Sequence, residues 1–84
     1  MNKDRVIVIF NNYKANTSVD IEIPVNITAT ELVIGLNTAY DLGIDTSDIK
    51  KCYLKMEKPI ALLRGNKTLE QYGIHNGSII NYTE

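Results

Sequence analysis

Residues 67–82 read KTLEQYGIHNGSIINY, and the fold follows from them. Thr68 stands where its hydroxyl can cap a short helical turn. Leu69, Tyr72 and Ile74 recur at near-helical spacing, which points them together into a core. Gly73 follows, where a left-handed backbone has no steric cost for glycine. Asn76-Gly77 then makes a tight turn, and Ser78 to Tyr82 is β-prone and closes the sequence.

Working outward, Arg5 to Phe10 (RVIVIF) is a short, continuous β-branched run and predicts a strand. Asn11 to Ser18 is polar and loop-like. Val19 to Ile23 alternates, with Val19, Ile21 and Ile23 on one face and Asp20 and Glu22 on the other, and Pro24 ends it. The pair reads as a hairpin with a long turn. Thr28-Ala29-Thr30-Glu31 matches a capping box, with Ile27 and Leu32 spaced for a hydrophobic staple. Leu32, Val33, Leu36, Ala39 and Tyr40 form the expected buried stripe of the helix that follows. Gly35 and Asn37 weaken this helix, so it depends on packing against a sheet. Gly43 is the expected stop, with Ile44 folding back. Cys52, Leu54 and Met56 alternate with Tyr53, Lys55 and Glu57 in a third strand. Lys58-Pro59 breaks it, and Ile60 to Leu63 is a short fourth strand.

The order is thus β-β-α-β-β, a short helical turn, then β. Thr68, Leu69, Tyr72 and Ile74 resemble the Thr-Leu-x-x-Tyr-x-Ile run that precedes the last strand of ubiquitin-like proteins. The whole order resembles the α+β β-grasp (ubiquitin-like) fold, a mixed sheet on one helix, from about Arg5 to Thr83, giving one domain over residues 1–84. Within that fold the chain is similar to the small YukD/EsaB-type proteins of bacterial type VII secretion. It shares their length, the strand ending in Ile23-Pro24 before the helix, and an Asn-Tyr loop at Asn12-Tyr13. The resemblance implies a non-catalytic, non-conjugated adaptor in the cytoplasm that binds membrane-associated components of the secretion machine. Two alternatives stay open: a ubiquitin-like modifier or sulfur carrier that has lost its tail, and a small non-catalytic subunit of a multicomponent enzyme. Modifiers and carriers of this fold act through a Gly-Gly tail. A chain that stops at Tyr82-Thr83-Glu84 is expected to act as a binding surface instead.

Composition narrows the chemistry. With 84 residues there is room for one domain. The net charge of −1 gives no global pull toward nucleic acid. No apolar run approaches the ~20 residues of a membrane span, and the first residues do not resemble a signal peptide. Cys52 is the single cysteine, so no internal disulfide forms, and its apolar setting suggests a small buried hydrophobe. His75 is the single histidine and lies beside a turn. One Cys and one His far apart do not make a metal site, and the five glycines are single, without a phosphate-loop pattern. No catalytic residue, cofactor or metal is therefore expected.

The reading that remains is a binding surface. The first strand is apolar on both faces, and one helix covers only one side of a sheet. Parity alone leaves both assignments open. Phe10 is the better core filler, so Val6, Val8 and Phe10 are expected inward and Ile7 and Ile9 outward. In the last strand Ile80 and Tyr82 are expected inward and Ile79 outward. Ile7, Ile9, Tyr53, Lys55 and Ile79 then make the candidate partner-binding patch, which could also support a weak homodimer. A second candidate is the cation cluster Lys50, Lys51, Lys55, Lys58, Arg64 and Lys67, suited to an acidic partner or an anionic membrane surface.

Overall fold

The computed structural model describes residues 4–83. Met1, Asn2, Lys3 and Glu84, which bear on the reading of the two termini, lie outside the described residues. The elements are β1 (Arg5–Asn12), β2 (Thr17–Pro24), α1 (Ala29–Tyr40), β3 (Leu54–Glu57), β4 (Ala61–Leu63) and β5 (Ile79–Tyr82). The strands form one mixed sheet in the order β2-β1-β5-β3-β4. The β1/β5 pair is parallel and the other pairs are antiparallel. This is the expected α+β β-grasp arrangement.

The inward parity of β1 is as its side-chain volumes suggest. Val8 and Phe10 are fully buried and Val6 packs against the core. From the other strands come Ile23, Leu54, Met56, Leu63 and Ile80, and from α1 come Ala29, Leu32, Val33 and Leu36. Each buried valine, leucine, isoleucine, phenylalanine or methionine side chain contributes about 1.5–3 kcal/mol by leaving water. The capping box is formed: the Thr28 hydroxyl accepts from the Glu31 N–H at 3.1 Å, and the Glu31 carboxylate accepts from the Thr28 N–H at 2.9 Å.

The 67–82 stretch docks as a unit. The Thr68 hydroxyl accepts from the Gln71 N–H, and the Gln71 side chain answers at the Thr68 N–H. This cap holds a hydrogen-bonded turn rather than a full helix. Leu69 is fully buried beneath it, and its N–H donates to the Ile27 carbonyl at 3.0 Å, tying the turn to the start of α1. The Asn76-Gly77 turn grips β1 twice: Asn76 Oδ1 accepts from the Ile7 N–H and the Gly77 N–H donates to the Ile7 carbonyl. Ser78, expected in the last strand, precedes it fully buried, donating to the Lys58 carbonyl at 2.6 Å and accepting from the His75 N–H.

Several expectations are corrected. The hairpin turn is short, because β1 runs on through Asn11 and Asn12 and β2 begins at Thr17. A central strand with partners on both sides overrides the poor β-propensity of asparagine. Asn12 turns inward and its Oδ1 accepts from the Ala15 N–H, closing the turn. Val19 shares the inward side of β2 but is 38% exposed beside that turn. The helix ends at Asp41, in left-handed conformation, rather than at Gly43. The reversal comes early because Leu42 is buried immediately after it; Ala39 is exposed and Leu42 supplies the core contact at this end. Tyr40 is likewise partly exposed, its ring 5.0 Å from that of Phe10. Asn37 does more than weaken the helix: its side chain bonds both the N–H and the carbonyl of Ile44. Ile60 falls in the turn at Pro59, not in β4, and is 91% exposed.

Candidate functional site

The helix covers one side of the sheet, and the other side is open. Which residues it presents follows from register. In β1, Ile7 and Ile9 point away from the core, with Ile7 54% exposed and Ile9 half-buried. Ile9 is the direct partner of Ile79 on β5. The three isoleucines therefore form a continuous strip along the middle of the sheet. On the β2 side, Glu22 stands opposite Ile7 and Asp20 opposite Ile9. On the β3 side, Glu57 stands opposite Ile79.

Above the strip a chain of polar side chains crosses four strands. The Ser18 hydroxyl donates to Asn11 Oδ1 at 2.7 Å. Asn11 Nδ2 donates to Asn81 Oδ1 at 2.9 Å, and Asn81 Nδ2 donates to the Glu57 carboxylate at 2.6 Å. Every donor points the same way and the chain ends on a charge, the arrangement in which successive bonds polarise one another. It locks β2, β1, β5 and β3 in register and puts a polar border on the isoleucine strip.

Of the five residues expected in the patch, Ile7, Ile9 and Ile79 are brought together. Lys55 pairs with Asn81, on the polar border, and half-buried Tyr53 lies just before β3, beyond that border. Lys55 has Leu62 as its β4 partner. Exposed Leu62 and Ile60 join Lys55, Met56, Glu57 and Asn81 around a shallow groove of about 530 Å³ at the β4 edge. Leu62 and Ile60 were not legible as surface groups, because Ile60-Ala61-Leu62-Leu63 is apolar throughout and has no alternation to mark an outer face. Nor was the asparagine chain legible, and there no local signal exists.

The six cations do not form one cluster. Lys55 is on the open face. Lys55 shares a groove of about 320 Å³ with Lys50, Lys51 and Tyr53, and Lys50 and Arg64 also line a neighbouring groove of about 640 Å³ with Thr30, Ser47, Ile49, Cys52 and Tyr72. Lys67 sits over the Tyr72 ring, 4.8 Å from its centre, and the Tyr72 hydroxyl donates to the Arg64 carbonyl. Burial pushes the Cys52 thiol above its ordinary value, and hydrogen bonds from Ser47 hold Asp45 below its own. Cys52 is buried in the core, and Asp45 lines the groove shared by Lys50, Lys51, Tyr53 and Lys55. Among the described residues no group of three or more His, Cys, Asp or Glu could hold a metal ion, and no helix is long and apolar enough to cross a membrane.

The comparisons agree with this architecture. The family model for the WXG100 protein secretion system (Wss) protein YukD matches residues 5–81. The C-terminal ubiquitin-like domain of mouse tubulin-specific chaperone e superposes with a TM-score of 0.70 at 12% identity, covering 100% of this chain and 92% of that one. A protein designed on the basis of ubiquitin gives 0.64 at 16% identity, over 95% of this chain and 88% of that one. The ubiquitin-like domain of Plasmodium falciparum Dsk2 gives 0.60 at 16% identity, over 94% and 99%. No curated protein sequence matches the chain. At such identities the solved structures establish the ubiquitin-like fold alone.

Proposed function

The chain belongs to the YukD family of the WXG100 protein secretion system, and from that premise we propose that it serves such a system as a ubiquitin-like adaptor. It binds proteins, forms no conjugates and catalyses no reaction. It acts in the cytoplasm, and its partners are membrane-associated components of the type VII secretion machine. The observation that carries the reading is the family match across residues 5–81.

The docking surface in this reading is the Ile7–Ile9–Ile79 strip with Lys55 at its polar border and Tyr53 beyond it. Each square ångström of apolar surface that a partner covers contributes about 25 cal/mol. The polar chain beside the strip fixes the register in which a partner meets it. Weak pairing of two copies through the same face is compatible with this surface. The test is genetic and biochemical. Deleting the gene should impair export by the secretion system. Wild-type protein should restore it, and a folded Ile7→Asp variant should not. Unimpaired export in the deletion strain would refute the secretion role. Full rescue by Ile7→Asp would refute the docking face.

A further inference from the structure

The sheet has two edges, and they differ. β4 is three residues long, whereas β2 is eight residues long and pairs with β1 over its whole length without a bulge. The direction of the backbone groups of β2 can be worked out. The N–H of Ile7 donates to Asn76 Oδ1 and that of Ile9 to the Ser78 carbonyl, so both point toward the β5 side. Val6, Val8 and Phe10 therefore turn theirs toward β2, and their partners Ile23, Ile21 and Val19 turn back toward β1. What remains is the outer edge: Ser18, Asp20 and Glu22 direct both N–H and C=O away from the sheet.

Edges of this kind template another strand unless they are blunted by lysine, proline, a bulge or a covering element. Pro24 closes β2 and has no N–H to offer there, but from Thr17 to Ile23 the edge has no lysine, proline or bulge. The edge carries two carboxylates instead, Asp20 and Glu22, on the open face. On the helix side it carries Val19 and Ile21, the first exposed and the second half-buried. A strand added here places one set of side chains beside the carboxylates and the alternate set beside Val19 and Ile21.

We propose that the β2 edge is a strand-addition site for an extended segment of a partner protein in which Lys or Arg alternates with aliphatic residues. A second copy of this chain does not fit. Antiparallel pairing of β2 with another β2 centred on Ile21 sets Asp20 against Glu22 on both sides, and centred on Asp20 it sets that carboxylate against its copy; like charges directly opposite destabilise a ladder. The edge is thus guarded against self-association and open to a basic strand. This goes beyond the secretion role and does not depend on it.

The test uses the whole chain, 15N-labelled, with two blocked heptapeptides, Lys-Val-Lys-Val-Lys-Val-Lys and Glu-Val-Glu-Val-Glu-Val-Glu. The lysine peptide should slow amide exchange at Ser18, Asp20 and Glu22 and should bind about tenfold more tightly than the glutamate peptide. The order of preference should reverse in the Asp20→Lys/Glu22→Lys double variant. A lysine peptide N-methylated at alternate residues should lose binding to the unaltered protein, which keeps the test open should the double variant not fold. Three outcomes would overturn the proposal: no binding at millimolar peptide, full binding of the N-methylated peptide, or protection confined to Ile7, Ile9 and Ile79.

Discussion

Truncating Leu69 to alanine should remove a large share of this domain's stability. The side chain is fully buried, beneath a turn whose backbone bonds run from Leu69 to Ile27 and from Tyr72 and Ile74 back to Leu69. Leu69→Ala leaves those bonds in place and deletes only the packing, so the cost is transfer plus cavity, about 2–5 kcal/mol. A domain of 84 residues has about 4–13 kcal/mol to lose. The melting temperature should fall on the order of 15 °C. Lys67→Ala is the matched control two residues away. Its ammonium is exposed and lies 4.8 Å from the Tyr72 ring centre, a contact worth at most ~1 kcal/mol. Urea titration followed by circular dichroism separates them, with the Leu69→Ala midpoint lower by about 1–3 M and the control nearly unmoved. Equal midpoints for the two variants would show that the 67–82 stretch does not seal the core.

Other perturbations read other parts of the structure. Ser78→Ala leaves the Lys58 carbonyl and the His75 N–H without their buried partner, so it should cost about 2 kcal/mol in the same urea titration. Asn81→Ala breaks the polar chain on both sides, at Asn11 and at Glu57, and should cost about 1–2 kcal/mol with an unchanged far-ultraviolet spectrum. Cys52 should resist iodoacetamide at pH 8 in the folded protein and react readily in urea, because the thiolate is the nucleophile and burial disfavours it. The sign for stability follows: the folded thiol lies above its ordinary 9.0, so the unfolded chain ionises first and stability falls as pH rises past that value. Calorimetry across pH 8–10, with Cys52→Ala as reference, reads this loss.

The parts of the fold written in local pattern were legible. The Thr28–Glu31 box, the alternation of Cys52, Leu54 and Met56 and the Leu69–Tyr72–Ile74 spacing each depend on neighbours a few residues apart. The parity of β1 was open in the alternation itself; the size of Phe10 favoured the inward assignment, and Val8 and Phe10 are the buried pair. The illegible parts rest on pairings distant in sequence. Asn11 and Asn81 meet across 70 positions, and nothing near either residue announces a bond to the other. That pairing separates Tyr53 and Lys55 from the isoleucines with which they were grouped. The helix end was missed for a different reason. Gly43 takes the left-handed conformation expected of it, but the chain already leaves the helix at left-handed Asp41, two residues earlier, with buried Leu42 between them.

In the proposed function the isoleucine strip on the open face meets a component of a secretion machine. Site-specific photo-crosslinking in living cells tests it most directly, with the crosslinking amino acid in place of Ile7 on the strip or of Ile49, which is 82% exposed but outside the sheet. The Ile7 position should yield an adduct whose mass-spectrometric identity is a secretion-machine component, and the Ile49 position should not. Adducts of the same identity and yield from both positions, or none with a secretion component from Ile7, would contradict that docking role.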